Sequence, residues 1–126
     1  MTKKIVDEKM PECTKMLIGI RDTKDLLSGK WKTSIIAALI YKGKLRFMDL
    51  LREVDGIAPK MLSKELQELE MNQLITRTVL NTKPITVEYE ITEHGLTLKK
   101  LLTEMANWGL QHRSQLFKKE VMMLEQ

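Results

Sequence analysis

Four hydrogen-bonding side chains between residues 60 and 67 have the spacing that places them on one side of a helix. Successive helical residues are about 100° apart, so the four fall within an arc of roughly 100°. They are Lys60, Ser63, Lys64 and Gln67. Lysine, serine and glutamine can all donate hydrogen bonds to phosphate oxygens or to base acceptors. The arc therefore predicts a surface that binds a polyanion.

The same helix keeps its acidic and its apolar side chains off this arc. Its leucines form a strip on the opposite side, and its glutamates fall outside the arc. The two sets are Leu62, Leu66 and Leu69, and Glu65, Glu68 and Glu70. A carboxylate facing DNA would be repelled by phosphates and by base acceptors. Any mixed-charge surface helix can group lysines by chance, so the helix alone is equally compatible with an ordinary solvated face.

Cations in neighbouring segments favour the polyanion. Lys44 and Arg46 precede a short predicted helix, where backbone phosphates would lie, and Lys83 is at the tip of a predicted hairpin. Arg77, in the first predicted strand, is assigned to the same surface. Each residue taken singly is typical of a solvated side chain. Their joint presence favours duplex DNA as the ligand.

Hydrophobic periodicity and turn signals predict the elements that must position these side chains. The predictions are one or two short helices over residues 13–27, a buried helix over 31–42 that stops at Gly43, a helix over 47–54, a Gly-containing turn, a helix that begins at Pro59, two strands over 74–81 and 86–92, and a long helix from Glu93 to the end. This order is that of a winged helix-turn-helix. The predicted fold class is α+β, mainly helical, with an extra N-terminal helix and a long C-terminal helix.

The long C-terminal helix carries more apolar surface than one small domain can cover. Its apolar residues return to one broad face. They include Leu98, Leu101, Leu102, Met105, Trp108, Leu116 and Phe117.

Length and composition are those of one globular domain. The chain has 126 residues, of which 43% are hydrophobic and 30% charged, with a net charge of +4. It has no apolar leader and no run approaching the ~20 apolar residues of a membrane span, so we expect a cytoplasmic protein. Lone Cys13, with His94 and His112, has no metal-ligand spacing. We expect neither a metal nor a cofactor, and the absence of a catalytic constellation or phosphate loop argues against an enzyme.

Several motifs together closely resemble the HxlR-type family of bacterial winged helix-turn-helix transcription regulators. They are Gly-Lys-Trp at Gly29 to Trp31, Arg-Phe at Arg46 and Phe47, Lys-Met-Leu at Lys60 to Leu62, and the Glu-Tyr…Thr-Glu…Gly run from Glu88 to Gly95. The resemblance covers roughly Cys13 to Trp108. The chain differs at Ala58, where the family often has a serine suited to capping the helix.

The resemblance implies a homodimer that binds a palindromic DNA operator and acts as a repressor or an activator. The terminal helices would then form the dimer interface, and the candidate interface residues are Leu17, Leu101, Met105, Trp108 and Leu116. On this basis we divide the single domain into an N-terminal dimerisation segment (about 13–30), a DNA-binding core (about 31–92) and a C-terminal dimerisation helix (about 93–126).

Cys13 is a candidate redox sensor, because members of this family often carry an N-terminal cysteine that senses oxidants or electrophiles. The position differs from the usual pattern, since Thr14 replaces the proline that commonly follows the cysteine. Sensing requires an exposed thiolate, which the basic residues Lys9, Lys15 and Arg21 would favour. The alternative is a small apolar residue packed in a dimer contact.

Two other functions are compatible with the sequence. The first is a winged-helix module that binds a protein through its apolar face. The second is regulation by a small molecule without thiol sensing, since the methionines and Trp108 offer adaptable apolar surface between dimer helices.

Overall fold

A computed structural model of the chain describes residues 5–125. The predicted end of the last helix, at residue 126, lies outside this range. The fold class is confirmed: helices surround a small antiparallel sheet in the order of a winged helix-turn-helix. No helix within residues 5–125 has the length and apolar character needed to cross a membrane.

Two helices form the N-terminal part of the described chain. α1 (Glu12–Leu26) is one continuous helix, and α2 (Lys32–Lys42) follows it after a turn. In α2, Ile35, Ile36 and Leu39 are fully buried. The helix ends at Gly43, as predicted, where a positive φ of 80° suits a residue without a Cβ.

The helix-turn-helix consists of α3 (Phe47–Glu53) and α4 (Pro59–Met71). The turn between them passes through Gly56 at a φ of 88°, close to the ring of Trp31. Pro59 occupies the first turn of α4, where a missing N–H leaves no hydrogen bond unmade. Ala58 precedes it and provides no side-chain cap. The start of α4 is therefore stabilised by Pro59 and by the burial of its leucines rather than by a side-chain cap.

The sheet has three strands, one more than the sequence predicted. β2 (Ile75–Leu80) and β3 (Thr86–Ile91) form the predicted hairpin, and β1 (Leu45–Arg46) pairs with the other edge of β3. The sequence pattern predicts no strand between α2 and α3, which is wrong for residues 45–46. Two residues are too few to show alternation, and this strand exists only through its pairing with β3.

The predicted long C-terminal helix is interrupted near its start. α5 (Glu93–Leu96) is a separate short helix, and α6 (Leu98–Leu124) follows after Thr97. His94 therefore lies in α5 rather than in the long helix. The hydroxyl of Thr92 accepts a hydrogen bond from the Gly95 N–H at 2.8 Å, which caps α5.

One hydrophobic core lies between α2, the helix-turn-helix and the sheet. Its fully buried side chains come from α2, α3, α4 and the segment that enters β2. They are Ile35, Ile36, Leu39, Leu50, Leu62, Leu66, Leu69, Leu74 and Ile75. α1 and α6 contribute no buried residue. Only the ends of these two helices nearest the core pack against it, so both leave long surfaces uncovered.

Candidate nucleic-acid interface

The outer side of α4 carries the predicted strip of hydrogen-bonding side chains. All four members are exposed: Lys60, Ser63, Lys64 and Gln67. The leucines on the opposite side are buried to 1% exposure or less, and this burial fixes the rotation of the helix about its axis. Within residues 5–125, none of the four side chains forms a hydrogen bond or an ion pair. The structure therefore brings them together as an unpartnered cationic strip, which we call the α4 strip.

Two glutamates of α4 bind a lysine that sequence reasoning missed. The ammonium of Lys32, in α2, lies 2.6 Å from Glu65 and 2.5 Å from Glu68. Lys32 and Glu65 are both buried. A signal was present in the sequence, because Lys32 is on the same helical face as the buried Ile35 and Ile36. An ammonium on a buried face needs a carboxylate partner.

Lys32 and Glu68 each stabilise the charged form of the other. Burial would lower the pKa of Lys32, but its hydrogen bonds to Glu65 and Glu68 and their negative charges outweigh that effect and raise the pKa above 10.5. The hydrogen bond and the charge of Lys32 lower the pKa of Glu68 below 4.5. Lys32 and Glu68 are therefore both ionised at neutral pH.

Lys44 and Arg46 lie before α3, as predicted, and both are exposed. They have acidic neighbours on the sheet. The Lys44 ammonium is 4.0 Å from a carboxylate oxygen of Glu90, and Arg46 is directly opposite Glu88 in the β1–β3 register. Glu90 therefore partly neutralises Lys44, whereas Arg46 is only opposite Glu88 and forms no ion pair with it within the described residues.

The remaining two predicted cations occupy different parts of the wing. Lys83 is exposed in the loop between β2 and β3 and has no ion-pair partner within residues 5–125. Arg77 is opposite Tyr89, whereas Arg46 is opposite Glu88. Adjacent residues of a strand point to opposite faces of a sheet, so Arg77 and Arg46 are on different faces. The structure does not bring Arg77 together with Lys44 and Arg46.

The candidate dimer residues are exposed on α1 and α6. Leu101 and Met105 face α1 across an open cleft of about 740 Å³, whose α1 wall includes Met16 and Ile20. Leu17 lies on a neighbouring part of α1, outside this cleft. The other two candidates are farther along α6: Trp108, which is 66% exposed and stacks on His112 at 5.0 Å, and Leu116.

Cys13 is exposed in the first turn of α1. Of the three cations considered near it, Lys15 donates a hydrogen bond to the carbonyl of Glu8 at 2.9 Å and lies 3.6 Å from the carboxylate of Glu12. Because Cys13 is exposed, its thiol is accessible to solutes. Over residues 5–125, His, Cys, Asp and Glu side chains form no group of three able to hold a metal ion.

The fold and the α4 strip define the chain as a winged helix-turn-helix protein. More particularly, the chain belongs to the HxlR-like helix-turn-helix family, whose model matches residues 26–117. It is 36% identical to the HTH-type transcriptional regulator YtcD of Bacillus subtilis (strain 168), over 91% of this chain and 90% of that protein.

Solved structures agree with this assignment. The redox regulator HypR in its reduced form is similar, with a TM-score of 0.72 and 36% identity, over 78% of this chain and 96% of that chain. The reduced form of the transcriptional regulator YodB from B. subtilis has a TM-score of 0.66 and 34% identity, over 74% of this chain and 90% of that chain.

Proposed function

We propose that this transcriptional regulator acts as a homodimer that inserts α4 of each copy into the major groove of a palindromic DNA operator. The observation that carries the proposal is the α4 strip, which presents hydrogen-bond donors and cations to solvent with no partner of their own. Two acids of the same helix, Glu65 and Glu68, bind Lys32, and exposed Glu70 lies outside the strip in the last turn of α4. The donors of the α4 strip can therefore approach phosphates and base acceptors.

Contacts outside α4 would come from the sheet and from the segment before α3. Lys83, on the loop of the wing, is free to meet phosphates beside the groove. Lys44 and Arg46 would add phosphate contacts in spite of Glu88 and Glu90, because duplex DNA carries a much higher density of negative charge than these two acids. Arg77 is also proposed to contact DNA, from the other face of the sheet from Arg46.

Dimerisation through α1 and α6 would cover the apolar surface that one copy leaves exposed. α6 has 27 residues and none of them is buried, although Trp108, Leu116 and Phe117 are large and apolar. Large apolar side chains exposed in this number along one helix favour an interaction site. A twofold axis between the copies would place the two α4 helices in successive major grooves, about 34 Å apart.

Regulation by thiol oxidation is supported by the exposure of Cys13 and by the similarity to the redox regulator HypR. In this proposal an oxidant takes two electrons and two protons from the thiols of two chains, and one disulfide forms between them. We expect oxidant treatment to link two parent chains or to change their affinity for the operator. A Cys13→Ser variant that responds as the parent does would count against a sensing role.

The cleft between α1 and α6 supports a second mode of regulation, by a small apolar effector. Its walls combine the flexible side chains of Met16 and Met105 with Ile20 and Leu101. Methionines adapt to ligands of different shapes. Binding there would alter the spacing of the helices proposed to join the two copies, and with it the spacing of the α4 helices.

Selection of bound sequences from a random duplex library tests the central proposal. We expect a palindrome whose half-sites are about one helical turn apart, or a multiple of it. A titration with salt then separates DNA binding from a protein-interaction role, because each neutralised phosphate contributes a slope of about −0.9 to the log–log plot of affinity against salt. A chain that binds no duplex at low ionic strength would refute the proposal.

A further inference from the structure

Lys32 brings a buried positive charge to the flank of α4. Its ammonium contacts carboxylate oxygens of Glu65 and Glu68 at 2.6 and 2.5 Å. The side chains of Lys32 and Glu65 are only 6% and 9% exposed, whereas that of Glu68 is 40% exposed. Lys32 therefore cannot reach a DNA phosphate, but one of its two partners lies at the surface.

Glu68 borders the α4 strip. It follows Lys64 by four residues, which makes the two side chains neighbours about 40° apart around the helix. Glu68 therefore has two cations within reach, Lys32 beneath it and Lys64 beside it. The structure pairs it with Lys32. In lowering the pKa of Glu68, the contribution of Lys32 is also the largest and that of Lys64 the smallest.

We propose that Lys32 is a positioning residue for DNA binding: it holds the carboxylate of Glu68, prevents that carboxylate from pairing with Lys64, and so leaves Lys64 available to phosphate. The inference rests on the proposed function, since it requires that the α4 strip face DNA.

Loss of Lys32 would act on DNA through the exposed carboxylate. Glu68 would be left without its cation and would pair with Lys64, its nearest cation on α4. Lys64 would then bind phosphate only by giving up that pair. The uncompensated charge of Glu68 would also repel phosphates at the edge of the groove.

A double-mutant cycle between Lys32→Met and Glu68→Gln tests the inference. The probe is a random-sequence duplex at low salt, and binding is measured by fluorescence anisotropy. Lys32→Met is expected to lower the affinity by about five- to tenfold. Glu68→Gln should change it by less than about twofold when Lys32 is present, but should restore most of the loss in the Lys32→Met background.

Lys30→Met is the matched control, because it removes the same charge two positions earlier, where the ammonium lies over the ring of Trp31 at 4.8 Å. Whatever Lys30→Met does to the affinity, Glu68→Gln should not reverse it. Rescue of Lys32→Met by Glu68→Gln is a readout that a purely structural role of Lys32 would not produce.

Folding is controlled separately, since Lys32→Met leaves Glu65 buried without a cation, and breaking a buried pair in this way destabilises a protein. The cycle is therefore repeated in a Glu65→Leu background, where no carboxylate remains buried, and circular dichroism verifies the fold of each variant. The same rescue by Glu68→Gln is expected there.

Two results would overturn the inference alone. One is a Glu68→Gln effect of equal size with and without Lys32, and the other is a Lys32→Met loss that Glu68→Gln does not recover. A parent chain that fails to bind the duplex would instead overturn the proposed function and the inference together, so the two failures are distinguishable.

Discussion

At the scale of single residues, the charges of α4 divide into an inner set and an outer set. Glu65 and Glu68 turn towards Lys32, whereas Lys60 and Lys64 point to solvent. The division arises because the buried leucines fix how α4 is rotated, and the spacing of 100° per residue then determines which side chains face outward. The helix presents cations on one side although its sequence contains three glutamates and only two lysines.

Lys60→Ala and Gln67→Ala test whether the α4 strip reads bases. If each side chain contacts a base edge, each replacement should cost about 1–3 kcal/mol on the selected operator and relax the preference at one base pair. Binding of operator variants by each protein measures this. Equal losses on all sequences would show that the residue touches only phosphate. Lys118→Ala, near the far end of α6, is the control and should leave binding unchanged.

Glu90→Gln tests whether the acids of β3 restrain DNA binding. The carboxylate lies 4.0 Å from the Lys44 ammonium, and both side chains are more than half exposed. Its removal should free Lys44 and strengthen binding to any duplex, by up to about 1 kcal/mol, because exposed pairs are weak. The effect should diminish at high salt. Glu120→Gln, the same change on α6, should have no effect; equal gains from both variants would contradict a local role.

The composition of the α4 strip could be predicted from sequence, because all its members are in one helix and the helical period alone places them together. The pairing of Lys32 with Glu65 and Glu68 could not, since it depends on how α2 packs against α4. The same holds for Arg77. Whether it shares a face with Arg46 is decided by the strand register, and the register is visible only once β1 is seen to pair with β3.

At the scale of elements, the junction between α4, the wing and α5 is held by Thr92 and Gly95. The backbone N–H of Thr92 donates to the carbonyl of Leu74 at 3.0 Å, and the Thr92 hydroxyl caps α5. A Cβ on Gly95 would lie only 2.2 Å from that same carbonyl. The Thr-Glu…Gly motif therefore has a structural reason, which is the close approach of α5 to the segment that enters β2.

Gly95→Ala is expected to destabilise the fold. The added methyl group would meet backbone that cannot move without breaking the junction, and overpacking of this kind costs about 1–3 kcal/mol. Denaturant unfolding measures the change. Gly19→Ala is the control, because nothing lies within 4 Å of the added Cβ in the middle of α1. It should be neutral or stabilise by up to about 1 kcal/mol. Equal effects of the two variants would contradict the steric explanation.

The ion pairs between α2 and α4 predict a dependence of stability on acid pH. The pKa of Glu68 is lowered in the folded state, so its contribution is fully present above its ordinary value of 4.5 and is lost as the pH falls through the folded pKa. The parent should therefore be more stable than Glu68→Gln at pH 7, and the difference should shrink as the pH falls below 4.5. Thermal unfolding of both proteins across this range measures it. A difference independent of pH would contradict the pairing.

Most elements were predictable from periodicity, because the stripes of α2, α3 and α4 and the alternation of β3 are local signals. The exceptions depend on partners distant in sequence. β1 is too short to show a pattern, and the division of α5 from α6 occurs within an uninterrupted run of helix-compatible residues. Its cause is the cap from Thr92 and the packing of Gly95, neither of which alters the apolar period.

At the scale of the whole molecule, one copy has its own hydrophobic core, while the apolar surfaces of α1 and α6 remain exposed. The buried residues lie in the middle of the chain, from Lys32 to Gly95, while α1 and α6 flank them with apolar side chains exposed. Because the core forms without burying the apolar surfaces of α1 and α6, these surfaces are available to contact a second copy of the chain. The proposed dimer thus follows from two features: the core lies in the middle of the chain, and α6 extends well beyond it.

Trp108→Asp tests this proposal, because it places a charge within the exposed apolar surface of α6. Burial of an unpaired carboxylate in the contact would be strongly unfavourable, so the variant should sediment as a monomer while its core remains folded. Loss of the second copy means that the two half-sites are no longer bound together, which should weaken operator binding by at least about a hundredfold.

Asn107→Asp is the matched control, since it adds the same charge to α6 at least about 120° around the helix from Leu101, Met105 and Leu116. It should sediment and bind as the parent does. Analytical ultracentrifugation and operator titration distinguish the outcomes. A Trp108→Asp chain that remains dimeric would place the contact elsewhere. A monomeric chain with undiminished operator affinity would show instead that one α4 suffices, and that the length of α6 serves another purpose than spacing two half-sites.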